Sequence, residues 1–187
     1  MSEASRKQTP SQTVGPYFAC GLTAQQYHYP LGQIADGAMA PETAAERIRI
    51  TGRVFDGKGQ IVPDALIEFW QADAAGRYGA RAGFGRQGTG TDAEGRFVFD
   101  TIKPGAAVGA APFVTLVVFM RGLLSHVYTR LYFSDGEAAN AADPVLATVP
   151  AERRATLIAK RESTANGVAY RFDIHMQGEN ETVFFDL

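Results

Sequence analysis

The side chains with the most chemistry at a useful spacing lie in one run, His126-Val127-Tyr128-Thr129-Arg130-Leu131-Tyr132-Phe133. Side chains alternate across a strand. A strand here puts His126, Tyr128, Arg130 and Tyr132 on one face and Val127, Thr129, Leu131 and Phe133 on the other. An arginine between tyrosines can receive an aromatic acid, its planar fork gripping the carboxylate while rings stack. The same pattern also fits an arginine held in a structural ion pair. Structural pairs outnumber sites, so the strand alone favours the ion pair. A second run, Gln12-Thr13-Val14-Gly15-Pro16-Tyr17-Phe18, offers something different. Gly15-Pro16 fixes a bend from which Tyr17 projects. That is either a rigid loop presenting a hydroxyl and a ring, or only a bend that docks the first segment.

Other chemistries lack their residues. The sequence contains no Gly-rich phosphate loop, no C-x-x-C pair and no H-E-x-x-H motif. Its three histidines, His28, His126 and His175, are far apart, and a metal site would need Asp, Glu or Tyr as well. Cys20 is the single cysteine, which excludes an internal disulfide; it reads as a small apolar packing group. Eighteen basic against 20 acidic residues give a net charge of -2, without the positive field that non-specific nucleic-acid binding needs. Met1 to Thr9 has no apolar signal region. The apolar stretch Ala106 to Met120 is interrupted by Gly109, Pro112 and Thr115, and is too short for a bilayer. The expectation is a cytoplasmic protein with neither nucleic acid nor membrane as partner.

The elements that must carry these residues are mostly strands. Alternation marks 47–54, 126–133 and 169–176; 65–70 is apolar on both faces except for Glu68, and Trp70 reads as core; 96–99, the β-branched run 113–119 and 182–185 complete the set. Turns fall at 56–59 and 92–95. Helices are expected only at 137–142, which is alanine-rich, and at 150–159, which opens with proline. Many short strands with one or two short helices make an all-β protein, a β-sandwich. With 187 residues, 45% of them hydrophobic, the chain reads as a single domain, 1–187. Residues 1–46 form an irregular N-terminal arm broken by Gly and Pro, and 47–187 form the sandwich core. Tyr17, Phe18, Tyr27 and Tyr29 argue that the arm lies on another surface rather than being disordered.

Four stretches in order carry a family resemblance: Thr13-Val14-Gly15-Pro16-Tyr17; Glu68-Phe69-Trp70-Gln71-Ala72-Asp73 with Gly76-Arg77-Tyr78; Thr101-Ile102-Lys103-Pro104-Gly105; and Thr129-Arg130-Leu131-Tyr132-Phe133. Together they resemble the intradiol ring-cleavage dioxygenases. The resemblance implies a β-sandwich, O2 as co-substrate and a ferric ion held by two tyrosines and two histidines. The corresponding positions here are Tyr78, Ala107, Phe113 and Thr115, so three of the four ligands are absent. This is similar to the alpha subunit of the heteromeric members, whose beta subunit holds the Fe(3+). The resemblance further implies an alpha-beta hetero-oligomer acting on a catechol carboxylate. In it, Thr13, Gly15, Pro16, Tyr17 and Arg130 of this chain would contact substrate across the interface. A non-catalytic β-sandwich, binding a ligand or serving as structure, is the competing expectation; it has no need of the TVGPY bend. A self-sufficient dioxygenase is opposed by the missing ligands.

Overall fold

The computed structural model describes residues 21–28, 45–79, 83–165 and 167–186. Nine strands form in chain order: β1 (Arg47–Phe55), β2 (Leu66–Gln71), β3 (Phe84–Gly88), β4 (Arg96–Ile102), β5 (Phe113–Phe119), β6 (Val127–Phe133), β7 (Ile158–Thr164), β8 (Gly167–Arg171) and β9 (Ile174–His175). The hydrogen-bonded order is β3-β2-β5-β6-β7-β8-β1-β4, with β9 on β1. β7 carries the chain from one layer into the other. Its first two residues, Ile158 and Ala159, pair parallel with β6, while Lys160–Thr164 pair antiparallel with β8. The result is a mixed sheet folded into a sandwich, as the strand pattern implied.

Alternation explains the core. Ile48, Ile50 and Val54 point inward from β1, facing Ile67 and Phe69, Phe97 and Phe99, Val114, Leu116 and Val118, Leu131 and Phe133, all buried. Phe69 and Phe99 stack with centroids 4.8 Å apart. Each such side chain contributes about 1.5 to 3 kcal/mol on burial. Glu68, the charged residue in apolar β2, lies opposite Arg86 of β3, whose Nε donates to Oε1 at 2.8 Å.

Several expectations need correction. The run expected as one strand over 169–176 is two. Between them Phe172 N–H donates to Thr51 O and Asp173 accepts from Arg53 N–H, so the chain steps from β8 to β9 across Gly52. A Cβ on Gly52 would sit 1.8 Å from Phe172 O. The helix expected at 150–159 is a 3-10 helix, Ala151–Leu157, and Ile158–Ala159 already belong to β7. The helix expected at 137–142 is present as α1 (Glu137–Ala142), but a second, α2 (Pro144–Thr148), follows it. The strand expected at 182–185 reduces to a single bridge between Phe185 and Tyr128. Strand β3 has no counterpart among the expected elements. Of the arm, residues 21–28 and 45–46 are described and include the 3-10 turn Ala24–Tyr27; Thr23 and Ala24 are buried, and Gln26 Nε2 donates to Pro63 O at 3.2 Å. Among the described residues, no helix is long and apolar enough to cross a membrane.

One ion cluster ties the segment after β4 to the other layer. Lys103 Nζ lies 2.6 Å from Asp135 Oδ2, which also accepts from Tyr170 O–H at 2.8 Å. Burial works to raise the Asp135 carboxyl, but the bonds from Lys103 and Tyr170 outweigh it and hold the group below its ordinary range. A depressed carboxylate stabilises the fold above its unfolded pKa, about 3.9 for Asp. That contribution is lost as pH falls through the folded value. Asp135→Asn is therefore expected to lower stability at pH 7 by about 1 to 2 kcal/mol, allowing for the partial exposure of the pair. The difference from wild type should shrink below about pH 4. Urea unfolding across pH 3–7 measures it; a gap that persists undiminished at pH 3 would show that the carboxylate charge is not the cause.

Candidate functional site

The outer face of the β2-β5-β6 layer carries the site. Register places Trp70, Thr115 and Arg130 in one row across the three strands, and Phe113 opposite Tyr132. The Arg130 guanidinium lies over the Phe113 ring, 4.2 Å from its centroid. Its Nη1 donates to Tyr132 Oη at 3.5 Å. Arg130 is half-buried, and among the described residues it meets no carboxylate. The structural ion pair favoured by the strand pattern is thus not what holds it. Tyr128, its other sequence neighbour on this face, pairs instead with His126 Nε2 at 2.8 Å.

Two loops bring the remaining positions to this face. Gln71, fully buried at the end of β2, donates through Nε2 to Ile102 O at 3.0 Å and accepts from Thr101 O–H at 3.1 Å. It thereby ties the WQAD segment to the TIKPG segment. Asp73 then closes a turn: its Oδ1 accepts from the backbone N–H of Arg77 and Ala75, at 2.8 and 2.9 Å. Those bonds, Arg77's first, hold its carboxyl below the ordinary range. Gly105 N–H donates to Asp73 O at 2.9 Å. Gly76, at φ 78°, passes so close that a Cβ there would lie 2.0 Å from Ala106 O and 3.2 Å from Ala107 N. The turn delivers Tyr78 onto Trp70, rings parallel within 2° and centroids 6.4 Å apart. Burial raises the Tyr78 phenol, and the positive charge of Arg130 opposes that rise.

Tyr78, Phe113 and Thr115 therefore make one patch with Arg130, and Ala107 lies against the turn that carries Tyr78. These four positions do not fit a ferric ion. A hard trivalent cation needs several anionic or imidazole donors. They offer one phenol, one hydroxyl, a methyl group and a phenyl ring whose face already carries a guanidinium. A second cation there would meet like-charge repulsion. Two of the three histidines are engaged with other rings: His126 with Phe119 and Tyr128, and His175 stacked on Phe55 at 4.9 Å. Among the described residues no cluster of three or more His, Cys, Asp or Glu could hold a metal ion.

Of the expected substrate residues, Arg130 stands on this face, while Thr13, Gly15, Pro16 and Tyr17, like Cys20, lie outside the described residues. Trp70 is not core as expected; it is half-buried on the outer face, against Tyr78 and Phe84. Asp143 has no counterpart among the expected site residues. It is 1% exposed and caps α2, accepting from Val145 N–H and Leu146 N–H at 3.0 and 2.8 Å. Its other bonds come from Ala111 N–H at 2.9 Å and Tyr132 O–H at 3.0 Å. The Asp143-Pro144 dipeptide, a cap residue before proline at the first helical position, is the signal in the sequence that could have found it. A cleft of about 510 Å³ on the outer face of β1 and β4 is lined by Arg49 and Arg96, already bound to Asp100 and Asp92.

The sequence profile of the family described as Dioxygenase matches residues 14–178. The chain is 54% identical over 193 residues to the protocatechuate 3,4-dioxygenase alpha chain of Burkholderia cepacia, covering 97% of this chain and 98% of that one. It is 37% identical over 164 residues to the beta chain of the enzyme from the same organism, covering 75% and 68%. Among solved structures it resembles the dioxygenase domain of a dioxygenase–carbohydrate-binding fusion from Streptomyces sp. SirexAA-E. There the TM-score is 0.62 at 22% identity over 95% of this chain and all of that one, a likeness of fold.

Proposed function

Because the chain belongs to the intradiol ring-cleavage dioxygenase family and is homologous over nearly its whole length to a protocatechuate 3,4-dioxygenase alpha chain, we propose that it is the alpha subunit of such an enzyme. The iron belongs to a beta subunit of similar fold, and the two assemble as an alpha-beta hetero-oligomer. Likeness to a beta chain as well as an alpha chain supports a partner built on the same sandwich. The substrate is protocatechuate, a catechol carboxylate. Both atoms of O2 enter the product as the ring opens between its hydroxyl-bearing carbons, giving 3-carboxy-cis,cis-muconate.

The observation that carries this reading is Arg130: a half-buried cation, stacked on an aromatic platform and without a carboxylate partner among the described residues. A guanidinium so placed suits an incoming carboxylate. In the assembly this chain supplies Arg130, together with Thr13, Gly15, Pro16 and Tyr17, to the beta subunit's pocket. The aromatic face excludes water, which strengthens the electrostatic contacts inside. Val108 and Leu124, in the loops at opposite ends of the β5-β6 pair, are almost wholly exposed in the single chain; a partner reaching both ends of that pair would cover them.

Expression alone and beside a beta chain tests the proposal. Alone, the chain is expected colourless, iron-free and prone to self-association. Together, the two should co-purify in equal amounts with iron and a visible tyrosinate-to-iron band. Stoichiometric iron in the chain purified alone, or failure of the two chains to associate, would overturn the reading.

A further inference from the structure

We infer that Tyr132 and Asp143 are positioning residues for Arg130, and that Phe113, standing where the family resemblance places an iron ligand, is the platform on which they hold it. The inference rests on Arg130 being the carboxylate receptor proposed above.

A guanidinium at the end of a long side chain has many rotamers, and a receptor must restrict them before the ligand arrives. Two contacts do so here, and a third residue fixes the second of them. From below, the Phe113 ring presents its face at 4.2 Å. At one edge, Tyr132 Oη accepts from Nη1 at 3.5 Å, a long bond whose direction still depends on where the hydroxyl proton points. Asp143 decides that direction. The Tyr132 hydroxyl has one proton, and it goes to Asp143 Oδ1 at 3.0 Å, leaving the oxygen's lone pairs for Arg130. Tyr132 is fully buried, so it cannot exchange this partner for water. Burial first, with the Asp143 charge adding to it and Arg130 opposing, pushes its phenol up to about 12, so the proton stays in place at working pH. Asp143 is itself fixed by three backbone N–H groups, from Ala111, Val145 and Leu146. Among the described residues, one of the five guanidinium N–H donors has a protein acceptor. The rest of the fork is left for a carboxylate. The lost metal position has thus become part of an arginine seat: an aromatic ring replaces a ligand, and a fixed organic cation stands in the patch.

Tyr132→Phe tests this with little change of shape, since Asp143 Oδ1 keeps its two backbone donors. In the co-expressed alpha-beta enzyme the variant is expected to raise the KM for protocatechuate three- to fivefold with kcat within twofold of wild type. Binding of 4-hydroxybenzoate, which keeps the carboxylate but lacks the second hydroxyl, should weaken by the same factor in calorimetry. Phe113→Leu, which removes the platform but keeps an apolar group, is expected to do likewise, and Phe113→Tyr to restore most of the loss. In combination with Arg130→Leu, neither variant should add a further loss, because both act through that residue. Unchanged KM and affinity in both variants, or full additivity with Arg130→Leu, would overturn the inference while leaving the receptor reading intact. Wild-type values in Arg130→Leu itself would instead overturn the receptor reading, and the positioning roles with it.

Discussion

Arg130→Leu in the assembled alpha-beta enzyme is expected to raise the KM for protocatechuate about tenfold or more, with a much smaller change for catechol. A direct charge-assisted bond to a carboxylate contributes about 1.5 to 3 kcal/mol, and each 1.4 kcal/mol is about a factor of ten. Catechol lacks the carboxylate and so loses only the general influence of a nearby cation. The structure sharpens the contrast with a structural role. An arginine whose task is to neutralise a buried acid leaves that acid orphaned when removed, at about 3 to 5 kcal/mol. Arg130 meets no carboxylate among the described residues, so its loss should cost little stability. Steady-state kinetics with both substrates, on enzyme whose subunit ratio and iron content match wild type, measure the effect. Equal loss on both substrates would assign Arg130 to a diffuse field and the carboxylate to other groups. No loss on either would make the arginine a packing element.

How much of this was legible in the sequence depended on how locally each feature is determined. β1, β5 and β6 were readable because their apolar residues alternate or run unbroken, and a strand buries those residues whatever pairs beside it. β3, Phe84-Gly85-Arg86-Gln87-Gly88, has two glycines and no β-branched residue. Its strand conformation comes from pairing with β2 and from the Glu68–Arg86 contact, which are tertiary. β7 was hidden for a similar reason: its residues beyond Ala159 are exposed and polar, and it takes its direction from pairing β6 at one end and β8 at the other. The chemistry divides in the same way. Alternation put Arg130 and Tyr132 on one face, correctly, but could not say whether a carboxylate from another element would meet the arginine. Phe113 and Asp143 reach Arg130 and Tyr132 from β5 and from the cap of α2, and only the folded chain places them there.

The WQAD…GRY and TIKPG motifs carried the resemblance, and a contact between their backbones explains why both contain glycine. Gly76→Ala is accordingly expected to destabilise the chain by about 2 to 5 kcal/mol. An L-residue at φ 78° costs about 1 to 2 kcal/mol. Forcing a methyl group into a filled space adds about 1 to 3 kcal/mol, and here the obstacle is backbone: the Ala106 carbonyl oxygen at 2.0 Å and its carbon at 2.6 Å. Neither can rotate aside as a side chain would. Relief requires the Asp73–Tyr78 turn to lift off the Gly105–Ala107 segment, which breaks the bond from Gly105 N–H to Asp73 O and moves Tyr78 on Trp70. Gly109 supplies the control, since it has nearly the same dihedral, φ 76°, but nothing within 4 Å of its Cβ position. Gly109→Ala should therefore cost only the conformational part, about 1 to 2 kcal/mol. At about 2 to 4 °C per kcal/mol for a chain of this size, the Tm of the co-purified complex should fall by about 4 to 20 °C for Gly76→Ala, clearly more than for Gly109→Ala. Equal shifts for the two variants would mean that the two motif loops do not make the contact that delivers Tyr78 to the Arg130 face.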